Sequence, residues 1–196
     1  MAAATPTRIM EAARECLLAE GYANLSTRKV ADRAGVPLSQ IHYHFRTKQG
    51  LVLALLDHEN QRRVSRQREM YAGPAPLWRR YADACDYLED DLASGYVRVL
   101  QEMIAAGWSD EKVAAQVTAM LRSWLDVLES VAAEAEKRFG GLGPFTAADL
   151  AALIGLAFMG GEALILLDDG AWADQVRRSL RRVGDLIRTL EESRPG

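Results

Sequence analysis

The segment from Ser26 to Lys48, STRKVADRAGVPLSQIHYHFRTK, constrains the fold of this chain more than any other stretch. Ser26 is a typical helix N-cap residue, and Val30, Ala31 and Ala34 recur behind it at helical spacing. Ala31 is small, as a position crossed closely by another helix must be. The first half of the segment therefore predicts a short helix with one buried face.

A tight turn and a second short helix follow in the same segment. Gly35 stands where the end of a helix favours left-handed backbone, and Pro37 suits the first turn of a new helix. Ile41 and Phe45 lie four residues apart and give the second helix a buried edge. Small, turn and apolar positions thus agree on a helix-turn-helix.

The same region resembles the N-terminal domain of TetR-family transcriptional repressors, from Arg8 to about Leu56. The resemblance lies in IMEAARECLLAEGYANLST, in VADRAGV, and in IHYHF followed by TKQGL. It implies a dimeric, all-helical DNA-binding protein that a small molecule releases from its operator. Family members usually carry a Ser-Lys-Gly-Thr-like run where this chain has residues 37–40 (PLSQ), and an aromatic residue where it has His42. The missing lysine removes one phosphate contact.

The charge distribution points the same way as the motif. Residues 1–68 hold eleven Lys and Arg against six Asp and Glu, whereas residues 69–196 hold thirteen against twenty-one, for a net charge of −3 in the whole chain. The positive charge thus lies in the part with the helix-turn-helix, as contacts to DNA phosphates require.

The polar residues of the motif are the candidates for DNA contact. We expect the second helix to present Ser39, Gln40 and His42 to the bases, with Arg28 as a weaker candidate. Phosphate contacts are expected from four further residues, Thr27, Tyr43, His44 and Lys48. The plainer alternatives are a surface role for His42, a structural role for His44 and a solvated Lys48.

The rest of the chain predicts further helices and no strand. We expect an all-α fold in which a three-helix DNA-binding domain, residues 1–50, is joined by a connector helix to a helical bundle within residues 51–196. Arginines from 62 to 68 make that connector basic, either as a solvated face or as a DNA contact.

One helix, residues 147–167, is apolar nearly all round. A helix of this kind must be buried on two sides, and its own bundle can supply only one of them. We therefore expect a homodimer formed through helices 147–167 and 172–191, with Gly155, Gly160 and Gly161 allowing close approach. The alternative is a monomer with this helix at its centre. Glu162 inside the helix argues against a membrane span.

An effector pocket is expected in the bundle, because its stripes are richer in aromatic residues and methionine than packing requires. Plain core packing is the alternative for each of these residues, and a solvated or paired carboxylate is the alternative for Glu102. The candidates are Trp78, Tyr81, Glu102, Met103, Trp108, Met120, Trp124, Phe158, Met159 and Glu162.

Composition excludes several other classes of protein. The three histidines lie at 42, 44 and 58 with no metal-ligand spacing, so we expect neither an enzyme, nor a metal, nor a cofactor. Cys16 and Cys85 are expected to be core thiols. The N-terminal residues MAAATPTR lack the features of a secretion signal, which predicts a cytoplasmic protein. A constitutive, architectural DNA-binding protein without an effector remains the main alternative.

Overall fold

The computed structural model describes residues 5–168 and 170–193; residues 1–4, the first half of the MAAATPTR segment, lie outside the described part. The described residues form α-helices and contain no strand, which confirms the all-α prediction. In chain order the helices are α1 (Thr5–Asn24), α2 (Thr27–Ala34), α3 (Leu38–Phe45), α4 (Lys48–Tyr71), α5 (Leu77–Ala93), α6 (Tyr96–Gly107), α7 (Glu111–Phe139), α8 (Ala147–Leu167) and α9 (Ala171–Ser193).

The chain divides into two compact units. Unit 1 comprises residues 1–62 and 93–118, and unit 2 comprises residues 63–92 and 119–196. Unit 1 thus contains α6 in addition to the predicted DNA-binding helices, and α6 is tied to α1 by a 2.7 Å hydrogen bond from the Arg98 guanidinium to the Leu17 carbonyl. α4 and α7 each have residues in both units.

Unit 1 is built around α1, whose apolar stripe packs under the helix-turn-helix. Gly21 has φ 74° and kinks this helix, which continues to Asn24. The largest fully buried side chains of the unit are Ile9, Leu17, Val30, Ile41, Leu51, Val52, Leu56, Val97, Met103 and Val113.

Unit 2 has an aromatic core. The Tyr81 and Phe158 rings meet edge to face with centroids 6.0 Å apart, and the Trp124 and Phe158 rings with centroids 6.5 Å apart. Leu180 of α9 and Cys85 of α5 complete this cluster. Edge-to-face aromatic pairs are favourable beyond the area they bury, so this cluster is the anchor of α5, α7, α8 and α9.

The glycines of α8 correct one prediction. A Cβ at Gly155 would lie 2.6 Å from Leu125, and one at Gly161 would lie 3.1 Å from Val176. Both glycines therefore allow close approach of α7 and α9 of the same chain, not of a second subunit as expected. Only Gly160 has open space around it. Sequence alone could not distinguish these faces, because α8 is apolar on nearly all of them.

Side chains cap the starts of three helices. Thr146 caps α8 in a reciprocal capping box with Asp149. Asp110 caps α7, because its carboxylate accepts from the N–H groups of Lys112 and Val113 at 2.9 and 3.2 Å. α5 is capped from α9, because the Glu191 carboxylate accepts from the backbone N–H groups of Leu77 and Trp78.

Both cysteines are buried thiols, as expected. Burial raises the pKa of the Cys85 thiol to about 11 and raises that of Cys16 as well. A thiol that stays protonated at neutral pH is a poor nucleophile. No group of acidic, histidine or cysteine side chains in the described ranges has the arrangement of a metal site.

α8 is long and apolar enough to cross a bilayer by length and composition, with a mean hydropathy of 2.2, and no other described helix is. Its buried residues are Ala151, Gly155, Phe158, Gly161 and Ile165, which lie on one face. Leu153 and Leu156 on other faces are 48% and 67% exposed. α8 thus packs on one side into unit 2 and leaves an apolar surface on the other.

Candidate nucleic-acid interface

The turn between α2 and α3 is held by backbone hydrogen bonds. Gly35 has φ 61° and ψ 42°, the left-handed conformation predicted for it. Its N–H bonds to the Asp32 carbonyl at 3.2 Å, and the Val36 N–H bonds to the Ala31 carbonyl at 3.0 Å. This is a Schellman motif, which satisfies the last carbonyls of α2 and fixes the direction in which α3 leaves.

Arg8 reinforces the turn from α1. Its guanidinium donates to the Ala34 carbonyl at 2.6 Å and to the Gly35 carbonyl at 3.3 Å. A cation at the C-terminal end of a helix is also favoured by the helix dipole. Sequence reasoning missed this role, because 26 residues separate Arg8 from Ala34 and no local pattern connects them.

α3 is amphipathic in the manner expected of a recognition helix. Ile41 is fully buried and Phe45 partly so, while Ser39, His42, Tyr43 and His44 are exposed. The helix therefore packs by one edge and presents hydrogen-bonding side chains on the others. Gln40 is half-buried and Tyr43 is 79% exposed.

The exposed aromatic side chains of α3 are partly organised by contacts within the helix. The Tyr43 and His44 rings meet edge to face at 4.9 Å. His42 Nδ1 lies 3.2 Å from the Arg46 carbonyl oxygen, so this ring is positioned by the end of the helix. That contact leaves Nε2 of His42 as the nitrogen able to address a base or phosphate.

The positive charges at the start of α2 differ in their pairing. Lys29 is paired with Glu20 and Arg33 with Glu15, both on α1. Arg28 is exposed, and Thr27 beside it is half-buried. Ser26 occupies the N-cap position but its side chain makes no cap hydrogen bond. The first turn of α2 thus has no side-chain cap at Ser26, and its Arg28 is exposed.

Lys48 has a structural role that the sequence did not indicate. Its ammonium donates to the Tyr22 carbonyl at 2.9 Å and lies 4.5 Å from the centre of the Tyr22 ring. The Ala23 carbonyl is 3.4 Å away. Lys48 therefore ties the start of α4 to the end of α1, and because an ammonium has three donors it can do so while contacting a phosphate.

A strained turn connects α3 to α4. Arg46 has φ 65° and ψ −53°, and the Thr47 N–H bonds to the Phe45 carbonyl at 2.7 Å. This is a γ-turn with a positive φ at its centre, which is unfavourable for a residue with a side chain. Thr47 caps α4, since its hydroxyl accepts from the Gly50 N–H at 2.9 Å.

Gly50 is required by the same turn. A Cβ at this position would lie 2.3 Å from the Phe45 carbonyl oxygen, which is backbone and cannot move aside. The backbone of the junction between α3 and α4 is therefore tightly constrained. Strain of this kind is common at functional sites, where it fixes a geometry.

Two cavities lined by described residues of unit 2 can be compared with the predicted effector site, and neither matches it closely. A cavity of about 310 Å³, here the polar cavity, is lined by Arg68, Tyr71, Ala72, Asp126, Val127, Ser130, Val131 and Glu134. A second cavity of about 210 Å³, here the carbon-lined cavity, is bordered by α5, α7, α8, α9 and the loop at Leu142. Every side chain that lines it is hydrocarbon except those of Tyr71 and Tyr81.

The predicted effector residues are dispersed. Glu102, Met103 and Trp108 belong to unit 1, where Met103 is fully buried and Trp108 is 83% exposed. The other candidates belong to unit 2, and of the ten only Tyr81 lines a cavity described above. Trp124 and Phe158 pack in the core, with the Trp124 indole N–H bonded to Gln67 at 2.9 Å.

The residues that line the carbon-lined cavity belong to the apolar stripes of their helices and were not among the predicted effector residues, except Tyr81. They include Leu128 and Val131 of α7, Ile154 of α8 and Ile187 of α9. No sequence pattern distinguishes an apolar stripe that packs tightly against neighbouring helices from one that leaves a cavity beside it.

A short helix held in place by a Schellman turn, exposing polar side chains from a basic segment, defines a helix-turn-helix DNA-binding protein. The sequence profile of the tetR family of bacterial regulatory proteins matches residues 9–55. Residues 9–55 therefore form a helix-turn-helix domain of the TetR type, as the sequence resemblance predicted.

Curated relatives share mainly this N-terminal region. An uncharacterized HTH-type transcriptional regulator of Bacillus subtilis, YvkB, is 39% identical over 61 residues, which cover 31% of this chain and 32% of the relative. The Escherichia coli K12 regulator UidR is 25% identical over 119 residues, 58% of this chain and 57% of the relative. The chain thus spans between a third and three fifths of the length of these relatives. Both relatives are named as HTH-type transcriptional regulators.

Solved structures share the fold over nearly the whole chain. The fatty acid degradation regulator FadR of Bacillus halodurans superposes with a TM-score of 0.77 at 14% identity, covering 95% of this chain and 96% of FadR. FadR of Bacillus subtilis, solved in complex with stearoyl-CoA, gives a TM-score of 0.73 at 15% identity, covering 92% and 96% of the two chains. At these identities the similarity establishes the fold.

Proposed function

We propose that the chain is a repressor that binds a palindromic operator as a homodimer and dissociates from it when a small apolar molecule binds in unit 2. The observation that carries the first part is the exposure of Ser39, His42 and Tyr43 on a helix whose Ile41 is buried. In a helix-turn-helix protein the second helix enters the major groove with such residues against the base edges.

The site residues take two roles in this proposal. Ser39, Gln40 and His42 read bases, with Arg28 as a further candidate, and Gln40 has the donor and acceptor pair that addresses adenine. Thr27, Tyr43, His44 and Lys48 hold phosphates and set the register. The exposure of Tyr43 and the unpaired position of Arg28 in the described residues support these roles.

The homodimer is supported by the outer surface of α8 and α9. Leu156, Trp172 and Leu186 are 67%, 56% and 60% exposed, and Leu153, Leu166 and Leu190 are also exposed. Several large apolar side chains exposed on one pair of packed helices are a mark of an interaction site. In an isologous interface the same two helices of each subunit pair across a two-fold axis, which places two identical reading helices on one duplex.

An effector is supported by the carbon-lined cavity and by one neighbour of the same fold that was solved with stearoyl-CoA. α4 is the route by which occupancy changes DNA affinity in this proposal, because its residues 48–62 belong to unit 1 and residues 63–71 to unit 2. A ligand shifts the equilibrium by its differential affinity for the two states. An architectural protein without an effector is the alternative.

Operator selection from random duplexes, followed by fluorescence anisotropy at several salt concentrations, tests the proposal. We expect a palindrome with half-sites about 34–36 Å apart, one helical turn. Lys48→Ala should weaken binding to all sequences alike and flatten the salt slope by about 1, whereas Gln40→Ala should relax the base preference. Selection of an asymmetric site, or a Lys48→Ala variant that changes base preference at an unchanged salt slope, contradicts these assignments.

A further inference from the structure

The His42 ring is held by the residue that ends its own helix. Its Nδ1 lies 3.2 Å from the Arg46 carbonyl oxygen, and the His42 backbone carbonyl accepts from the Arg46 N–H at 3.1 Å. In a continuing helix the first of these contacts could not form, because side chains lean toward the N-terminus while the carbonyl four residues later points toward the C-terminus. The contact of the His42 ring therefore depends on the chain turning back directly after α3.

The turn that makes this contact possible is tightly constrained. Arg46 has φ 65° and ψ −53°, and the Thr47 N–H closes the γ-turn on the Phe45 carbonyl. A Cβ at position 50 would collide with that same carbonyl, so the first turn of α4 lies close against the γ-turn. The Arg46 carbonyl is thus a preorganised acceptor for the His42 ring.

A carbonyl oxygen can only accept, so this contact selects one tautomer of the neutral imidazole. Nδ1 of His42 must carry the proton that it donates to Arg46, and Nε2 is then left with a free lone pair. The ring is exposed, so Nε2 can meet a base. Water competes for an exposed hydrogen bond, but a bound duplex excludes that water and strengthens the bond, which sharpens the selection in the complex.

We propose that His42 reads its base as a hydrogen-bond acceptor, through Nε2, and that the Arg46 carbonyl fixes this role. In the major groove an acceptor pairs with the amino group of adenine or cytosine, whereas guanine and thymine offer only further acceptors there. His42 therefore specifies an amino-bearing base, and Arg46 is a positioning residue that acts through it. The inference rests on the proposed function, because α3 must lie against base edges, but the tautomer can be measured without DNA.

Nitrogen NMR of the imidazole rings measures the tautomer on the full chain, at about pH 8, where imidazole is mostly neutral. The His42 signals are assigned from their loss in His42→Asn. We expect the Nδ1–H form for His42 and, for the exposed His58, the Nε2–H form that free histidine side chains prefer. Arg46→Gly retains the positive φ and should retain Nδ1–H, whereas Arg46→Val disfavours that φ and should lose it. A predominant Nε2–H form of His42 in the unsubstituted chain overturns the proposal.

Base analogues test the reading itself. In the selected operator, each adenine or cytosine in turn is replaced by purine or 2-pyrimidinone, which lack the amino group. At one position in each half-site we expect the replacement to weaken binding about three- to tenfold, the usual effect of one hydrogen bond, and to have no effect on His42→Asn, which has no group in the place of Nε2.

Gln40→Ala is the matched control, because any loss that arises from Gln40 should persist in His42→Asn and disappear in Gln40→Ala. Replacements that affect the unsubstituted chain and His42→Asn alike at every position overturn the proposal. Failure to select any operator would contradict the proposed function, and with it the base reading, whereas the Nδ1–H tautomer of His42 would stand by itself.

Discussion

The α2–α3 segment with the start of α4, in unit 1, and the α8–α9 pair, in unit 2, differ in backbone geometry and in the polarity of their exposed side chains. In the first, backbone hydrogen bonds, a left-handed Gly35 and a glycine at position 50 fix the path of the chain, and the exposed side chains are polar. In the second, the backbone is regular helix, and the exposed side chains are apolar.

The difference follows from what each surface has to meet. A helix that reads base edges needs its polar groups placed within hydrogen-bond tolerance, so the turns that aim it must be rigid. A surface that pairs with its own copy needs area and shape, which leucine and tryptophan side chains supply on an ordinary helix. Rigid turns and an exposed apolar surface are therefore two separate signatures in one chain.

The largest expected loss of stability comes from a charge on the buried face of α8, and the same charge on its exposed face is the comparison. Phe158→Arg places a charge in the aromatic core and should lower the free energy of unfolding by at least about 4 kcal/mol, measured by urea denaturation. Leu156→Arg changes a residue that is 67% exposed and should leave the helix content unchanged while sedimentation velocity shows monomers. A dimeric Leu156→Arg protein would place the interface elsewhere.

Gly50→Ala should be the most damaging small substitution in unit 1. The new methyl group would meet the Phe45 carbonyl at 2.3 Å, and displacing backbone should cost about 3 kcal/mol of unfolding free energy and most of the operator affinity. Gly160→Ala is the matched control, since nothing lies within 4 Å of its Cβ position. It should stabilise α8 by about 0.5–1 kcal/mol. Equal effects of the two substitutions would mean that the α3–α4 junction is not rigid.

Glu191→Gln probes the cap that α9 provides for α5. Its carboxylate receives two backbone N–H groups and an ion pair from Arg138 at 3.0 Å, so we expect a loss of about 1 kcal/mol in chemical denaturation. Glu192→Gln, on the exposed neighbour, should have no measurable effect. Similar losses in both variants would show that the cap contributes nothing.

Arg46→Gly should have a small, stabilising effect. Releasing the positive φ of the γ-turn should stabilise the protein by about 1 kcal/mol, visible as a higher melting temperature. Arg28→Gly, in the regular helix α2, should instead destabilise it by about 1 kcal/mol. A destabilised Arg46→Gly protein would mean that the Arg46 side chain contributes more than the strain costs.

Where the determining interactions are local, the sequence predicted the structure well. Gly35 as the left-handed residue after α2 and Ile41 as the buried edge of α3 depend on residues within one or two turns. The start of α7 is ambiguous for a local reason, because Ser109 and Asp110 are both good caps and only the observed hydrogen bonds distinguish them.

Where residues far apart in the chain meet, the sequence carried no signal. Arg8 on the α2–α3 turn, Lys48 on the end of α1, and Glu191 on the start of α5 are bridges over 26, 26 and more than 100 residues. The helices packed against Gly155 and Gly161, and the cavity that Tyr71 lines, likewise depend on contacts between residues far apart in the chain.

The amino-acid sequence by itself therefore determined the helical class, the helix-turn-helix and its polar recognition face, since these follow from periodicity and turn chemistry. Only the tertiary structure decided which face of α8 packs inward, which charged side chains cap helices, and where packing of apolar side chains leaves a cavity. Those outcomes depend on the volumes of side chains that meet in space, and a one-dimensional pattern does not specify such meetings.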